Sequence, residues 1–376
     1  MAWRIGVDSG GTFTDICLFE EGSGRIAVWK VPSTPADPSH AVAQGTGEAL
    51  RQVAAQARDV SYFGHGTTVA TNALIQHRGA TTGLITSNGF RDLLEIGRQR
   101  RPDLYDLQAD KPPVLVERRL RREVPERLLH DGRVETALDE AAVRNAVRVL
   151  RDARVEAVAI CFLYSFLDPG HEEAARHIVG EEFPEAFVCA SHEVAPEFRE
   201  YERLSTTVVN AHLGPIMAFY IRGIADRLNA LGVTATPYLT QSNGGVIGFD
   251  MAARLPVRTV LSGPSTGVVG AQVTAGLAGA HDIITFDMGG TSTDVALIQG
   301  AEARLAREAW CTAIRSRPRR STSIRSAPAA ARSRLSTAAD CSRSGRKAPA
   351  PIRARPAMTA GMISRPSPMP MWSWGP

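Results

Sequence analysis

Two eight-residue stretches of this chain share one pattern, and this repeat constrains the fold more than any other feature. Asp8–Asp15 and Asp287–Asp294 both read D-x-G-G-T-x-T-D, and apolar segments flank each copy. A Gly-Gly pair between two apolar runs is typical of the reversal in a β-hairpin. We therefore predict a strand, a tight turn and a second strand at both positions, in a duplicated unit that holds one ligand between its copies.

The residue types in the repeat suit phosphate binding. Glycine pairs permit a positive φ and leave backbone N–H groups accessible, and threonine hydroxyls add further donors. The leading aspartate can face a magnesium ion, usually through water. A single copy is more often only a turn, but two copies at equivalent points favour a phosphate site.

Seven stretches, in order, carry a family resemblance. They are residues 4–20 (RIGVDSGGTFTDICLFE), 64–74 (GHGTTVATNAL), 89–100 (GFRDLLEIGRQR), 196–210 (PEFREYERLSTTVVN), 241–246 (QSNGGV), 261–270 (LSGPSTGVVG) and 286–297 (FDMGGTSTDVAL). Together they resemble the ATP-dependent hydantoinase/oxoprolinase family, with its N-methylhydantoinase A, 5-oxoprolinase and acetone carboxylase β-subunit types, within the actin/hexokinase/Hsp70-like superfamily.

The resemblance implies an α/β fold of actin-like ATPase (ribonuclease H-like) lobes. The first lobe, residues 1–190, would be nearly complete, and residues 191–309 would begin a truncated second lobe. The residues independently indicate an α/β domain, because an amphipathic helix over 139–153 precedes a continuous apolar strand over 157–162.

The activity that the resemblance implies is ATP-dependent opening of a cyclic amide, such as a hydantoin or 5-oxoproline, by phosphorylation of the ring carbonyl. The cofactors would be ATP and Mg²⁺, and a hydantoinase B-type subunit would be the partner. Asp8 and Asp287 would orient the Mg²⁺ through water. The contacts to phosphate would come from Gly10, Gly11, Thr12, Thr14, Gly289, Gly290, Thr291 and Thr293, whereas Asp15 and Asp294 would brace the hairpins.

Three alternatives stay open: a subunit of an ATP-dependent ketone carboxylase, a sugar-kinase-like ATP-binding module, and a non-functional fragment. Candidates for the substrate cleft are His65, Thr67, Arg98 and Asn243. His65 can equally be a satisfied residue before a capped helix, and Arg98 can belong to a solvated basic face. Carboxylates at 197, 200 and 202 fit a surface helix better than acid/base chemistry.

Charge and cysteine content narrow the class of protein. Residues 311–376 hold 13 Lys and Arg against one Asp, whereas the rest of the chain holds 30 basic and 38 acidic residues, so its body is acidic and does not resemble a nucleic-acid binder. Five cysteines without a C-x-x-C pair indicate reduced thiols. Because no apolar stretch is long enough to span a membrane, we expect a cytoplasmic protein without membrane or nucleic-acid partners.

The composition changes near residue 310. Residues 311–376 contain 12 Arg, 12 Ala, 11 Ser and 9 Pro, which predicts a disordered tail. Residues 320–332 and 347–358 can be encoded by synonymous codons that, when read in a shifted frame, spell other sequences. These sequences are similar to the family sequence after its second phosphate motif. We therefore interpret the tail as the product of a reading-frame slip near residues 309–311, with a genuine basic tail as the alternative.

Overall fold

The computed structural model describes residues 2–34, 36–99, 105, 108, 111, 113–288, 292–303, 305–306, 309–311, 314–316, 320–321 and 325–328. All of them belong to one compact unit. The predicted tail, residues 311–376, is described only at 311, 314–316, 320–321 and 325–328, which all lie in short strands. The disorder of the other tail residues stays a prediction. Within the described ranges, no helix has both the length and the apolar composition needed to cross a bilayer.

The elements follow one another in this order. The first part of the chain contains β1 (Trp3–Ser9), β2 (Phe13–Glu20), β3 (Ile26–Pro32), α1 (Pro38–Gln52), β4 (Val60–Thr67) and α2 (Val69–Ile75). The next contains β5 (Thr82–Ser87), α3 (Leu93–Ile96), β6 (Arg121–Val124), β7 (Arg127–Leu128), β8 (Val134–Thr136), α4 (Glu140–Asp152), β9 (Ala157–Cys161), α5 (Gly170–Glu182), β10 (Phe187–Ala190) and α6 (Ser191–Val194).

The last part begins with a long helix. It contains α7 (Glu200–Leu231), β11 (Pro237–Thr240), β12 (Val246–Gly248), α8 (Phe249–Arg254), α9 (Ser262–Leu277), β13 (Ile283–Met288), β14 (Ser292–Gln299), β15 (Glu302–Ala303), β16 (Leu305–Ala306), β17 (Ala309–Cys311), β18 (Ile314–Ser316), β19 (Arg320–Ser321) and β20 (Arg325–Pro328). Short 3₁₀ turns lie at Ala57–Asp59, Arg118–Leu120 and Pro256–Thr259.

The first sheet has six strands in the order β12-β11-β4-β1-β2-β3. The predicted first hairpin forms, since β1 pairs antiparallel with β2, and β1, β4 and β11 run parallel to one another. Strand β1 alternates strictly, so that Ile5 and Val7 pack into the core while Gly6 and Asp8 lie on the open face. Two strands from beyond residue 191 thus join the sheet that begins at residue 3.

The second sheet is fully parallel, with strand order β10-β9-β5-β6. Every residue of β9 is buried, as the continuous apolar run predicted. Helix α4 begins at Asp139, whose carboxylate accepts a hydrogen bond from the backbone N–H of Ala142 and caps the helix. The predicted α/β class is therefore confirmed in both sheets.

Helix α7 connects the two sheets. Near its start, Arg203 donates from Nη2 to the carbonyl oxygen of Phe162, 2.6 Å away, at the end of β9. Further along, the Tyr220 hydroxyl lies 2.7 Å from the ring of His65 in β4. The helix ends at Gly232 in the left-handed conformation, which glycine adopts readily. One helix therefore ties the carboxyl end of β9, in the second sheet, to the core of the first sheet.

The second copy of the repeat also forms a hairpin, and its register equals that of the first. Asp8 pairs with Asp15 in β1 and β2, and Asp287 pairs with Asp294 in β13 and β14. The turn residues 289–291 lie outside the described residues. The prediction that one structural unit occurs twice is thus confirmed for the paired strands.

Candidate functional site

The carboxyl ends of three parallel strands, β1, β4 and β11, meet at one edge of the first sheet. Asp8 lies opposite Gly66, and Thr240 ends β11. A β-carbon placed on Gly66 would lie 3.1 Å from Oδ1 of Asp8 and 3.6 Å from Oγ1 of Thr240. Since Gly66 has no side chain, a gap stays open between the other two. We call these three residues the acidic notch.

Asp8 lies in a strongly negative environment. Shielding from water by the surrounding protein, followed by the charges of Asp287 and Asp15, raises the pKa of Asp8 from 3.8 to about 6, although part of the residue still contacts solvent. The effect of Asp287 shows that the leading aspartates of both hairpins lie within electrostatic range of each other. Bringing a cation between them would relieve this repulsion.

These donors suit a hydrated cation such as Mg²⁺. Among the described residues, no group of three or more His, Cys, Asp or Glu side chains is placed to hold a metal. Mg²⁺ commonly takes one or two carboxylates and keeps several waters. Two aspartates within electrostatic range of each other, with a hydroxyl near one of them, match that mode of binding.

The turn of the first hairpin is formed differently from the prediction. Neither Gly10 nor Gly11 adopts a positive φ, and the N–H of Gly10 already donates to the carbonyl oxygen of Phe13 at 3.0 Å. Thr12 is exposed and Gly11 borders open space, so both are available to a ligand. The conformational freedom of glycine is therefore not what shapes this turn.

Thr14 lies on the opposite side of the hairpin from the acidic notch. It is fully buried, and its hydroxyl lies 3.0 Å from Oγ of Ser33 and 3.4 Å from Oγ of Ser9. In this structure Thr14 braces the hairpin, as does Asp15, whose carboxylate pairs with Lys30 at 2.8 Å. The geometry thus gives Thr14 the bracing role that the sequence assigned only to the aspartates.

Part of the second hairpin cannot be compared in this way. Gly289, Gly290 and Thr291 lie outside the described residues, and Thr293 is described only by its backbone pairing with Met288. Their predicted contacts to phosphate stay predictions. Asp287 is the member of this hairpin that the structure brings to the site.

The glycine-rich loop before α9 also reaches the acidic notch. A β-carbon on Gly263 would lie 3.8 Å from Oδ1 of Asp8. Leu261 just before the helix has a φ of 62°, and its N–H donates to Oγ1 of Thr71 at 2.8 Å. The amino end of α9 therefore points its positive dipole toward Asp8 and any phosphate beside it.

His65 and Thr67 lie in the core and not in a cleft. His65 is fully buried, with Nδ1 3.3 Å from the carbonyl oxygen of Val7 and Nε2 2.7 Å from the Tyr220 hydroxyl. Burial lowers the pKa of His65 to about 4, so its ring is neutral. Thr67 is also fully buried and accepts a hydrogen bond from the N–H of Val69 at 3.2 Å. For His65, these contacts match the alternative of a satisfied residue before the following helix.

Arg98 and Asn243 each form contacts within the protein. Arg98 forms a two-pronged ion pair with Glu202, at 2.7 and 2.6 Å, and Glu202 is fully buried. The prediction that Glu202 lies on a surface helix is therefore wrong. Asn243 is exposed in the turn after β11, where its side-chain oxygen accepts the N–H of Gly245 at 2.9 Å. A contact of either residue with substrate stays a prediction.

Comparisons with known proteins give the family. The family model described as "Hydantoinase/oxoprolinase N-terminal region" matches residues 4–183, and the model described as "Hydantoinase/oxoprolinase" matches residues 203–360. Together the two models account for most of the chain.

Curated relatives include proteins of several activities. Caprolactamase subunit alpha of Pseudomonas jessenii is 39% identical over 81% of this chain and 45% of its own length. Acetophenone carboxylase gamma subunit of Aromatoleum aromaticum is 35% identical over 80% of this chain and 43% of its own length. The 5-oxoprolinase of Saccharomyces cerevisiae is 31% identical over 78% of this chain and 25% of its own length. The chain thus spans less than half of the length of these relatives.

Two solved structures share the fold. A nucleotide-free acetone carboxylase superposes with a TM-score of 0.80 at 26% identity, over 87% of this chain and 48% of that one. The ATP-dependent caprolactamase from Pseudomonas jessenii superposes with a TM-score of 0.76 at 36% identity, over 86% of this chain and 47% of that one. The architecture is that of actin-like ATPase lobes, and the chain belongs to the hydantoinase/oxoprolinase family.

Proposed function

We propose that the acidic notch is one half of a Mg·ATP site and that the enzyme to which this chain belongs hydrolyses a cyclic amide. The observation that carries this proposal is the pair of hairpins in equal register, whose leading aspartates Asp8 and Asp287 lie close enough for the charge of Asp287 to raise the pKa of Asp8. Relatives named caprolactamase and 5-oxoprolinase open ring amides, which supports the same class of substrate.

Bound ATP would supply the phosphoryl group that is placed on the ring carbonyl oxygen, which makes the carbonyl carbon open to attack by water, and phosphate would leave as the C–N bond of the ring breaks. The residues of this chain bind and orient the reactants, because phosphoryl transfer depends mainly on positioning and on neutralising charge. Asp8 and Asp287 hold the hydrated cation. Thr12 and the N–H of Gly11 face the phosphates from the turn of the first hairpin, and the amino end of α9 adds its dipole from the other side.

The second hairpin supplies the matching contacts in this proposal. Its described strands repeat the geometry of the first hairpin, with Asp287 in the place of Asp8. We propose that each residue has the role of its counterpart in the first hairpin. Gly290 and Thr291 face the phosphates like Gly11 and Thr12, Gly289 closes the turn like Gly10, and Thr293 braces the hairpin like Thr14. His65 and Thr67 are left out, since both are buried and hydrogen-bonded within the core.

A second candidate activity is a subunit of an ATP-dependent ketone carboxylase. It is supported by the similarity to the acetophenone carboxylase subunit and to the acetone carboxylase structure. In both candidates the chain works with a partner subunit, which we propose to be of the hydantoinase B type. We also propose that the assembly is cytoplasmic.

We further propose that the tail results from a frame slip near residues 309–311. In support, the curated relatives match about four-fifths of the chain, and the unmatched part is close in size to the tail. The second family match nevertheless continues to residue 360. Resequencing the locus decides the matter: an intact frame without a single-base lesion contradicts the proposal, and the chain as written would then carry a genuine basic tail.

The test of function uses two proteins, the 376-residue chain and a version whose frame is restored after Ala309, each with the neighbouring partner subunit. ADP release is measured with caprolactam, 5-oxoproline and a hydantoin, and separately with a ketone and bicarbonate. We expect a ring amide to stimulate ADP release by the restored protein and Asp8→Asn to abolish it. Stimulation by ketone and bicarbonate alone would favour the carboxylase, and transfer to a sugar hydroxyl would contradict both.

A further inference from the structure

Thr240 carries an unused hydroxyl at the acidic notch. Its Oγ1 is shielded from solvent and has no hydrogen-bond partner among the described residues. Buried hydroxyl groups are nearly always paired, because an unpaired one loses its bonds to water without replacement. An orphaned hydroxyl beside a binding site therefore points to a partner that the ligand brings.

The position of Thr240 follows from the register of the sheet. Leu239 of β11 pairs with His65 of β4, so Thr240 comes next, level with Gly66. Gly66 in turn pairs with Asp8 of β1. The three residues form one row across three parallel strands, and in a strand neighbouring rows point to opposite faces. Thr240 and Asp8 thus project on the same side, with the glycine between them.

The open space beside Gly66 lies near hydrogen-bonding distance of both oxygens. Both oxygens lie within 3.6 Å of the point where a side chain on Gly66 would begin. The Asp8 carboxylate attracts a cation and the Thr240 hydroxyl can donate or accept. Mg²⁺ holds its waters tightly and is usually bound through them.

We propose that Thr240 is a ligand-binding residue of the nucleotide site, whose hydroxyl binds a water of the cation held by Asp8. This inference rests on the proposed Mg·ATP site and extends it to β11, a strand that none of the phosphate motifs includes. It accounts for the orphaned hydroxyl and for the glycine at position 66, since a side chain there would fill the space that the bridging water occupies.

The test compares Thr240→Val, Thr240→Ser and the control Thr236→Val, an exposed threonine just before β11. Calorimetry measures ATP binding to the full chain, with the frame restored, once with Mg²⁺ and once with EDTA. A typical hydrogen bond is worth up to about tenfold in affinity. We expect Thr240→Val to lose about tenfold for Mg·ATP and little in EDTA, while the other two variants bind like the wild type.

Unfolding by urea without nucleotide provides the second readout. Because the hydroxyl is unpartnered, its replacement by an isosteric methyl leaves the stability unchanged or raises it. Equal Mg·ATP affinity of Thr240→Val and the wild type overturns the role of Thr240 and leaves the proposed site intact. A stability loss that Thr240→Ser reverses also overturns it, in favour of a structural role. If the wild type itself binds no Mg·ATP, the proposed function fails as well.

Discussion

The neutral state of His65 makes the stability of the first sheet depend on pH. Burial lowers the pKa of His65 from 6.5 to about 4, and both ring nitrogens are engaged, by Val7 and Tyr220. Between these two pH values, His65 is protonated in the unfolded chain and neutral in the folded chain. The stability that His65 contributes is therefore complete above pH 6.5 and is lost as the pH falls toward 4.

The size of this effect follows from the shift. A displacement from 6.5 to about 4, at about 1.4 kcal/mol per pH unit, corresponds to a loss of about 3 kcal/mol. Because glutamine does not titrate, the His65→Gln variant should lose about 3 kcal/mol less unfolding free energy between pH 7.5 and 4 than the wild type does. Other groups titrate equally in both proteins, so the difference between the two curves isolates His65.

Urea unfolding followed by tryptophan fluorescence is suitable, because Trp3 is buried in the same sheet. His177→Gln serves as the control, since this histidine lies on the surface of α5 with 76% of its side chain exposed. We expect the control to follow the wild type at every pH. If wild type and His65→Gln lose stability in parallel, His65 is protonated in the folded chain or exposed to solvent, and its place in the core is wrong.

Three further predictions concern packing and binding. Gly66→Ala places a methyl group 3.1 Å from Oδ1 of Asp8, so Mg·ATP binding measured by calorimetry should be lost. The circular dichroism spectrum should stay unchanged. Retained binding would show that the acidic notch is not the site. Gly79→Ala brings a β-carbon to 2.5 Å from the backbone oxygen of His212. This overlap should lower the free energy of unfolding by about 1–3 kcal/mol, and unchanged urea unfolding would contradict the contact. Glu172→Gln should lower the free energy of unfolding by about 2 kcal/mol in the same assay. The buried carboxylate accepts hydrogen bonds from Phe162, Ser191 and His192, whereas an amide would turn an N–H toward one of these donors. Wild-type stability of the variant would refute that network.

The hairpins were predictable because their signal is local. Apolar strands, a Gly-Gly turn and a leading aspartate lie within a few residues, so sequence alone placed Asp8 and Asp287 correctly in paired strands. The parallel second sheet followed from the alternation of apolar runs with amphipathic helices. Short-range patterns thus gave most of the elements.

The features that the sequence did not predict depend on contacts between residues that are distant along the chain. Nothing in the local sequence shows that β11 pairs with β4 across more than 170 positions. For the same reason Thr240 was overlooked, since a threonine at the end of a strand has no distinctive pattern. Arg98 and Glu202 are 104 positions apart, so their ion pair was not visible and Arg98 could be placed only by analogy. His65 looked like a loop residue because the burial of its strand is set by α7.

The most direct test of the central claim is calorimetric titration of Mg·ATP into the frame-restored chain and into its Asp8→Asn and Asp287→Asn variants. If the two hairpins hold one cation between them, the parent binds and each variant loses most of the affinity, while all three unfold at similar urea concentrations. Binding that survives both substitutions, or that fails in one variant only, would contradict a site shared by the two aspartates.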